Sequence, residues 1–170
     1  MKINEALKVA IEYEHKVRDH YSNGAAQILS PKGKRVFETL GKEEQGHVDY
    51  LESRLGEWTK RGRVENVPLE TILPPRDWAA AATQRFDKGH EPAIAVQAEL
   101  DLLKVALDLE RQTSAFYRGL VDTLPGEDRI LFERFLEIEL GHLAIVQAEI
   151  DALAGMGTWF DIMEFHLEVG

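Results

Sequence analysis

The chain has 170 residues, 29% charged and 44% apolar, a balance that suits one globular domain with its own core and excludes a disordered polyelectrolyte. Acids outnumber bases 30 to 20, giving a formal net charge of −10, which argues against nucleic acid and anionic membrane as partners and favours cations. The cysteine count is 0, which rules out disulfides, thiolate zinc sites, iron–sulfur clusters and thiol nucleophiles within these residues, so any metal must sit on carboxylate and imidazole.

The opening segment, MKINEALKVAIEYEHK, lacks an apolar core of signal-peptide length. No stretch reaches the roughly 18 apolar residues of a membrane span, so a cytoplasmic location is the expectation. Helical periodicity marks the first element from Asn4, a candidate N-cap, to beyond Tyr21. The second opens on Ser30-Pro31, an N-cap followed by proline at the first helical position, and runs to about Trp58. Residues 62–91 contain Pro68, Pro74, Pro75 and Gly89 and are too long for a hairpin turn. They suit a crossover that travels the length of a helix, with Trp78-Ala79-Ala80-Ala81-Ala82 as a possible short helix inside it. The third element starts near Pro92 and ends before the breaker Leu124-Pro125-Gly126. The fourth runs from about Glu127 to Ala154 and is expected to stop at Gly155. The expected architecture is all-α: an antiparallel four-helix bundle over residues 1–155, followed by an aromatic tail over 156–170.

The bundle is written twice. Leu7-Lys8-Val9-Ala10 matches Leu103-Lys104-Val105-Ala106, Glu14 matches Glu110, and Tyr21 matches Tyr117. Phe37-Glu38 matches Phe132-Glu133, and Glu44, Gly46 and His47 match Glu139, Gly141 and His142. The offsets are nearly constant, so two copies of one helical hairpin are the simplest account. Their packing predicts an approximate two-fold axis.

Glu14, Glu44, His47, Glu110, Glu139 and His142 all fall on apolar helix stripes, for example Leu7, Ala10, Glu14, Val17, Tyr21 in the first element. Burying an unpaired carboxylate costs several kcal/mol. No Lys or Arg shares the stripes near these acids, and two imidazolium groups offset only two of four negative charges. Two divalent cations offset all four. In each Glu-x-x-His the two side chains lie on one helix face, about 4.5 Å apart along the axis. One Glu from each of two helices plus one Glu-x-x-His from each of the others is the ligand set of dinuclear carboxylate bundles, and it suits iron or manganese. Glu12-x-x-His15 has the same spacing, but it lies off the stripe and its repeat mates, Asp108 and Arg111, do not keep the pair. It reads as a solvated face, and His20, His90 and His166 read as surface or packing residues. Tyr21 and Tyr117 stand two turns after Glu14 and Glu110 on the same face. They are expected to support the site as hydroxyl donors to metal carboxylates on a facing helix, or simply to serve as core aromatics.

The doubled pattern, Glu-x6-Tyr then Glu-x-x-His, spans Glu14 to His142 and resembles the rubrerythrin-like branch of the ferritin-like superfamily. The resemblance implies a ferritin-like bundle holding two iron ions per chain, with manganese or mixed metals also admitted. It implies that Glu44 and Glu139 bridge the metals while Glu14 and Glu110 are terminal ligands. The family's activities are reduction of oxygen or hydrogen peroxide and oxidation of ferrous iron. Rubrerythrins proper carry a rubredoxin-type iron domain on cysteines, so this cysteine-free chain implies an external electron donor, such as a separate rubredoxin-type protein. Thr113 stands where rubrerythrins place a further glutamate used in redox-linked iron movement, a departure that tells against strong peroxidase activity. Bacterioferritins share the six ligands but bind haem through a methionine where this chain has Gln45, so haem is not expected. Gly157-Thr158-Trp159-Phe160-Asp161-Ile162 resembles the aromatic tail of short rubrerythrin-like proteins; a lid or dimer contact is its expected role, and a homodimer the expected assembly. Oxidoreductase chemistry leads, with iron oxidation and storage, or a structural or redox-inert site, as the other function classes.

Overall fold

A computed structural model describes residues 1–71 and 93–168, with side chains placed over 1–71 and 94–155. The regular structure among the described residues is all helix, without strands. The helices are α1 (Ile3–Ala25), α2 (Pro31–Arg61), α3 (Ala93–Thr123) and α4 (Gly126–Glu168). α1 packs chiefly on α2 and α3 chiefly on α4, and the two hairpins meet along α1 and α3. Glu14 of α1 faces Tyr117 of α3 while Tyr21 of α1 faces Glu110, so these two helices run antiparallel. The architecture is a four-helix bundle.

The helix ends follow local chemistry. α1 begins one residue before Asn4, at Ile3, where the Glu5 carboxylate accepts the backbone N–H of Lys2 at 2.9 Å. At the start of α2 the Ser30 hydroxyl accepts from the backbone N–H of Gly33 at 2.9 Å, with Pro31 occupying the first turn. α2 runs three residues past Trp58 and closes on Gly62, whose left-handed φ of 68° lets its N–H reach the Trp58 carbonyl at 2.7 Å. In the last turn of α1, a Cβ on Gly24 would stand 2.6 Å from the Phe37 ring, so only glycine lets the hairpin close this tightly. α3 ends at Thr123, before Leu124-Pro125.

The expected stop at Gly155 is not observed, because α4 continues to Glu168. A helical glycine costs only about 1 kcal/mol against alanine, and ends a helix when it turns left-handed. Gly155 is not among the positive-φ glycines. The proposed short helix at 78–82 lies outside the described residues, as do the side chains of His90, His166 and the aromatic tail. The described start of the crossover is strapped down: the Tyr50 hydroxyl donates to the Val67 carbonyl at 2.5 Å, and Arg134 of α4 donates to the Leu69 carbonyl at 3.3 Å. Leu69 itself is buried in the core.

The core is two apolar clusters with a polar layer between them. One contains Leu7, Ala10, Leu51, Phe132 and Phe135, the other Val17, Leu40, Leu103, Ala106 and Val146. Along α1 the chain passes from Ala10 in the first cluster, through Glu14, to Val17 in the second. The same order of apolar, acidic, apolar recurs in all four helices and fixes where the acids meet.

Candidate metal centre

α1 supplies Glu14, α2 supplies Glu44 and His47, α3 supplies Glu110, and α4 supplies Glu139 and His142. All six are at most 1% exposed. The structure therefore brings together the residues singled out from the stripes, and Glu12 and His15 take no part in the cluster. His20 instead has its Nε2 2.9 Å from the Leu102 carbonyl.

The distances divide the cluster into two halves. His47 Nδ1 lies 3.1 Å from Glu14 Oε2, 3.1 Å from Glu44 Oε2 and 3.3 Å from Glu139 Oε1. His142 Nδ1 lies 2.6 Å from Glu44 Oε1, 3.6 Å from Glu110 Oε1 and 3.9 Å from Glu139 Oε2. Glu44 and Glu139 thus turn one oxygen toward each histidine. Two groups of four ligand atoms result, each with its atoms within 4.8 Å of one another: Glu14, Glu44, His47, Glu139, and Glu44, Glu110, Glu139, His142.

The ion-pair partners of these four carboxylates, among the described residues, are the two histidines; no Lys or Arg reaches them. Burial, with the neighbouring Glu44 charge, pushes Glu14 up to about 8. Burial and the charges of Glu44 and Glu14 raise Glu139 well above the carboxylate range. Burial also acts to raise Glu44, but His142 and His47 outweigh it and hold this carboxyl well below its usual value. Burial works against the charged form of both imidazoles, and the surrounding carboxylates overcome it, so both are raised well above the ordinary histidine value. Without a cation the cluster needs protons to balance its charge.

The donor set is one that could hold metal. Glu110 Oε2 and both oxygens of Glu139 are fully buried and have no hydrogen-bond partner among the described atoms, and Glu44 Oε1 and His142 Nδ1, 2.6 Å apart, have none beyond one another. Buried polar atoms are normally satisfied, and here the unsatisfied ones converge on one another. Carboxylate oxygen and imidazole nitrogen are both metal-ligating atoms. Buried Glu/His groups able to hold metal are therefore established by the geometry.

Two tyrosines tie the hairpins together across this layer. Tyr21 of α1 donates to Glu110 Oε1 of α3, and Tyr117 of α3 donates to Glu14 Oε1 of α1. Burial and the adjacent carboxylates raise both phenols well above their ordinary value, so each remains an O–H donor. Tyr21 packs edge-on against Phe37 with ring centroids 5.2 Å apart, and Tyr117 stacks on Phe135 at 5.0 Å. Thr113 turns its hydroxyl back to the Leu109 carbonyl, 3.0 Å away, and does not enter the carboxylate layer as a donor. Gln45 is exposed and bonded to Arg18 and Asp49 on the outer face of α2.

One buried acid beside the cluster escapes the stripe pattern. Glu43 is 6% exposed, and its Oε2 lies 3.9 Å from His47 Nε2 and 3.7 Å from His142 Nε2. The signal was present: position 43 follows Leu40 by three residues, a helix-face spacing, and its repeat mate is the buried Ile138.

No protein-family model matches the chain, and no curated protein does. A solved structure, described as a hypothetical protein from Pyrococcus furiosus, matches with a TM-score of 0.65 at 24% identity, covering 92% of each chain. That likeness concerns the fold alone. No helix among the described residues is long and apolar enough to cross a membrane.

Proposed function

We propose that this chain is a dinuclear carboxylate metalloprotein of the rubrerythrin-like kind, binding two iron ions and reducing oxygen or hydrogen peroxide with electrons from a separate donor. The observation that carries this reading is the division of Glu44 and Glu139, each presenting one oxygen to either histidine. A carboxylate so placed suits the bridge between two ions, and Glu14 with His47, and Glu110 with His142, suit the terminal positions. A bound iron pair would supply two electrons, one from each ion, which with two protons reduce one hydrogen peroxide to two waters.

The protein's own residues hold and shape the site. Tyr21 and Tyr117 orient the terminal carboxylates Glu110 and Glu14 by donating to one oxygen of each, while Glu110 Oε2 has no partner among the described atoms and Glu14 Oε2 faces His47 Nδ1. The apolar clusters on either side exclude bulk water and keep the ligands rigid. With no cysteine, these residues supply no thiolate redox centre, so electrons would have to reach the site from outside them.

Reconstitution of metal-free protein with ferrous iron, followed by oxygen or hydrogen peroxide, tests the reading. Appearance of oxo-bridged ferric absorption bands, with cycling when a reductant is added, is the expected result. Iron that remains ferrous sinks it. Iron loading far beyond the ligand set, in a particle of cage size, favours storage instead.

A further inference from the structure

The rings of His47 and His142 are stacked, with centroids 5.4 Å apart and planes within 6° of parallel. Both Nδ1 atoms face the glutamate cluster. Both Nε2 atoms are buried, and neither has a hydrogen-bond partner among the described atoms. Glu43 Oε2 lies beyond them, 3.9 Å from one Nε2 and 3.7 Å from the other. The Thr71 hydroxyl in the crossover donates to the same oxygen at 2.7 Å and holds it in place.

We propose that Glu43 is the common positioning residue of both metal histidines. The inference rests on the dinuclear reading above and adds a fifth carboxylate that touches neither ion. An imidazole that gives its Nδ1 lone pair to a metal carries its proton on Nε2, and that N–H needs an acceptor. Both Nε2 atoms lie within 3.9 Å of the same Glu43 oxygen, so one carboxylate can serve both. The present separations exceed a hydrogen bond, and about 1 Å of movement closes them. Glu43 thereby fixes both imidazoles in the tautomer that exposes Nδ1. The corresponding residue in the second hairpin is Ile138, packed in the apolar core, so this support comes from one side of the duplicated bundle. Thr71 makes the crossover part of the site's scaffold rather than only a connection.

Cobalt(II) titration of the metal-free full chain, in competition with a chelator, tests the assignment on wild type, Glu43→Gln and Glu43→Ala. The expected result is two ions per wild-type chain, with both weakened together by about 10–100-fold in the variants. The metal-free melting temperature, measured alongside, should be unchanged or higher, because a buried acid is removed. Nitrogen-15 spectra of the zinc(II)-loaded protein should show Nε2–H on both histidines in wild type and a shift of both signals in Glu43→Gln. Wild-type binding of two ions with variant affinities within twofold of it overturns the role of Glu43 and leaves the dinuclear reading standing. Weakening of one ion alone also overturns it, as does a third wild-type ion that Glu43→Gln loses. A wild-type chain that binds no cobalt(II) overturns both readings.

Discussion

Glu44 and Glu139 each face both histidines, whereas Glu14 faces only His47 and Glu110 only His142. The two classes should respond differently to substitution. Glu44→Gln or Glu139→Gln removes a ligand from both groups and is expected to abolish retention of the pair. Glu14→Gln or Glu110→Gln touches one group and should leave one ion per chain bound. Mass-spectrometric metal counting on purified variants distinguishes these outcomes, and equal losses for all four would contradict the assignment of shared and terminal ligands. Tyr21→Phe and Tyr117→Phe remove the hydroxyl that orients a terminal carboxylate. Each should weaken binding by about tenfold, read by chelator competition. Because the two bonds are related by the duplication, the two losses should be similar in size.

Elements carry the ligands into register, and their ends and packing are separately testable. Ser30 caps α2 and also donates to the buried Glu99 of α3 at 2.8 Å, so one hydroxyl serves a helix terminus and a contact between hairpins. Ser30→Ala is expected to cost about 1–2 kcal/mol in urea unfolding, the usual worth of a cap. Phe135 is fully buried against Tyr117, Tyr50 and His47. Phe135→Ala should destabilise by about 3–5 kcal/mol and loosen one wall of the metal site. The starts of α2 and α4 and the end of α3 were legible because Ser30-Pro31 and Leu124-Pro125-Gly126 act locally. The end of α4 was not, because a glycine terminates a helix only through its backbone conformation, which the residue type permits without compelling. All six cluster residues could be read from helix stripes, since the period of 3.6 decides which side chains share a face. Glu43 was missed for a related reason: positions 43 and 44 both lie at helix-face spacing from Leu40, so both can turn inward.

For the molecule as a whole, the buried charge layer makes metal-free stability depend on pH. Glu14 has a folded value of about 8 against an ordinary 4.5, so between these values the unfolded chain gives up the proton more readily and stability falls as pH rises. Both histidines lie well above the ordinary 6.5, so their contribution is complete below 6.5 and is lost as pH rises through their folded values. Glu44 runs the other way: its contribution is present above 4.5 and is lost as pH falls through its lower folded value. Above pH 6.5 the raised groups dominate, and the melting temperature of metal-free protein should drop from about pH 6.5 to about pH 8.5. Metal needs deprotonated ligands, so loaded protein should keep its melting temperature over the same range. Calorimetry on both forms checks this, and parallel curves would contradict it.

The sequence by itself determined the helices, the duplication and the inward turn of four acids and two histidines, because helical periodicity and hydrophobic patterning are properties of each segment alone. It also required a compensating charge, since buried carboxylates without Lys or Arg on the same stripes are unstable unpaired. Only the tertiary structure decided which carboxylates face both histidines, that each tyrosine reaches the glutamate of the opposite hairpin, and that Glu43 lies behind both imidazoles. Those relations depend on how the helices rotate and slide against one another. That is set by the packing of the two apolar clusters around the polar layer, and no single segment contains it.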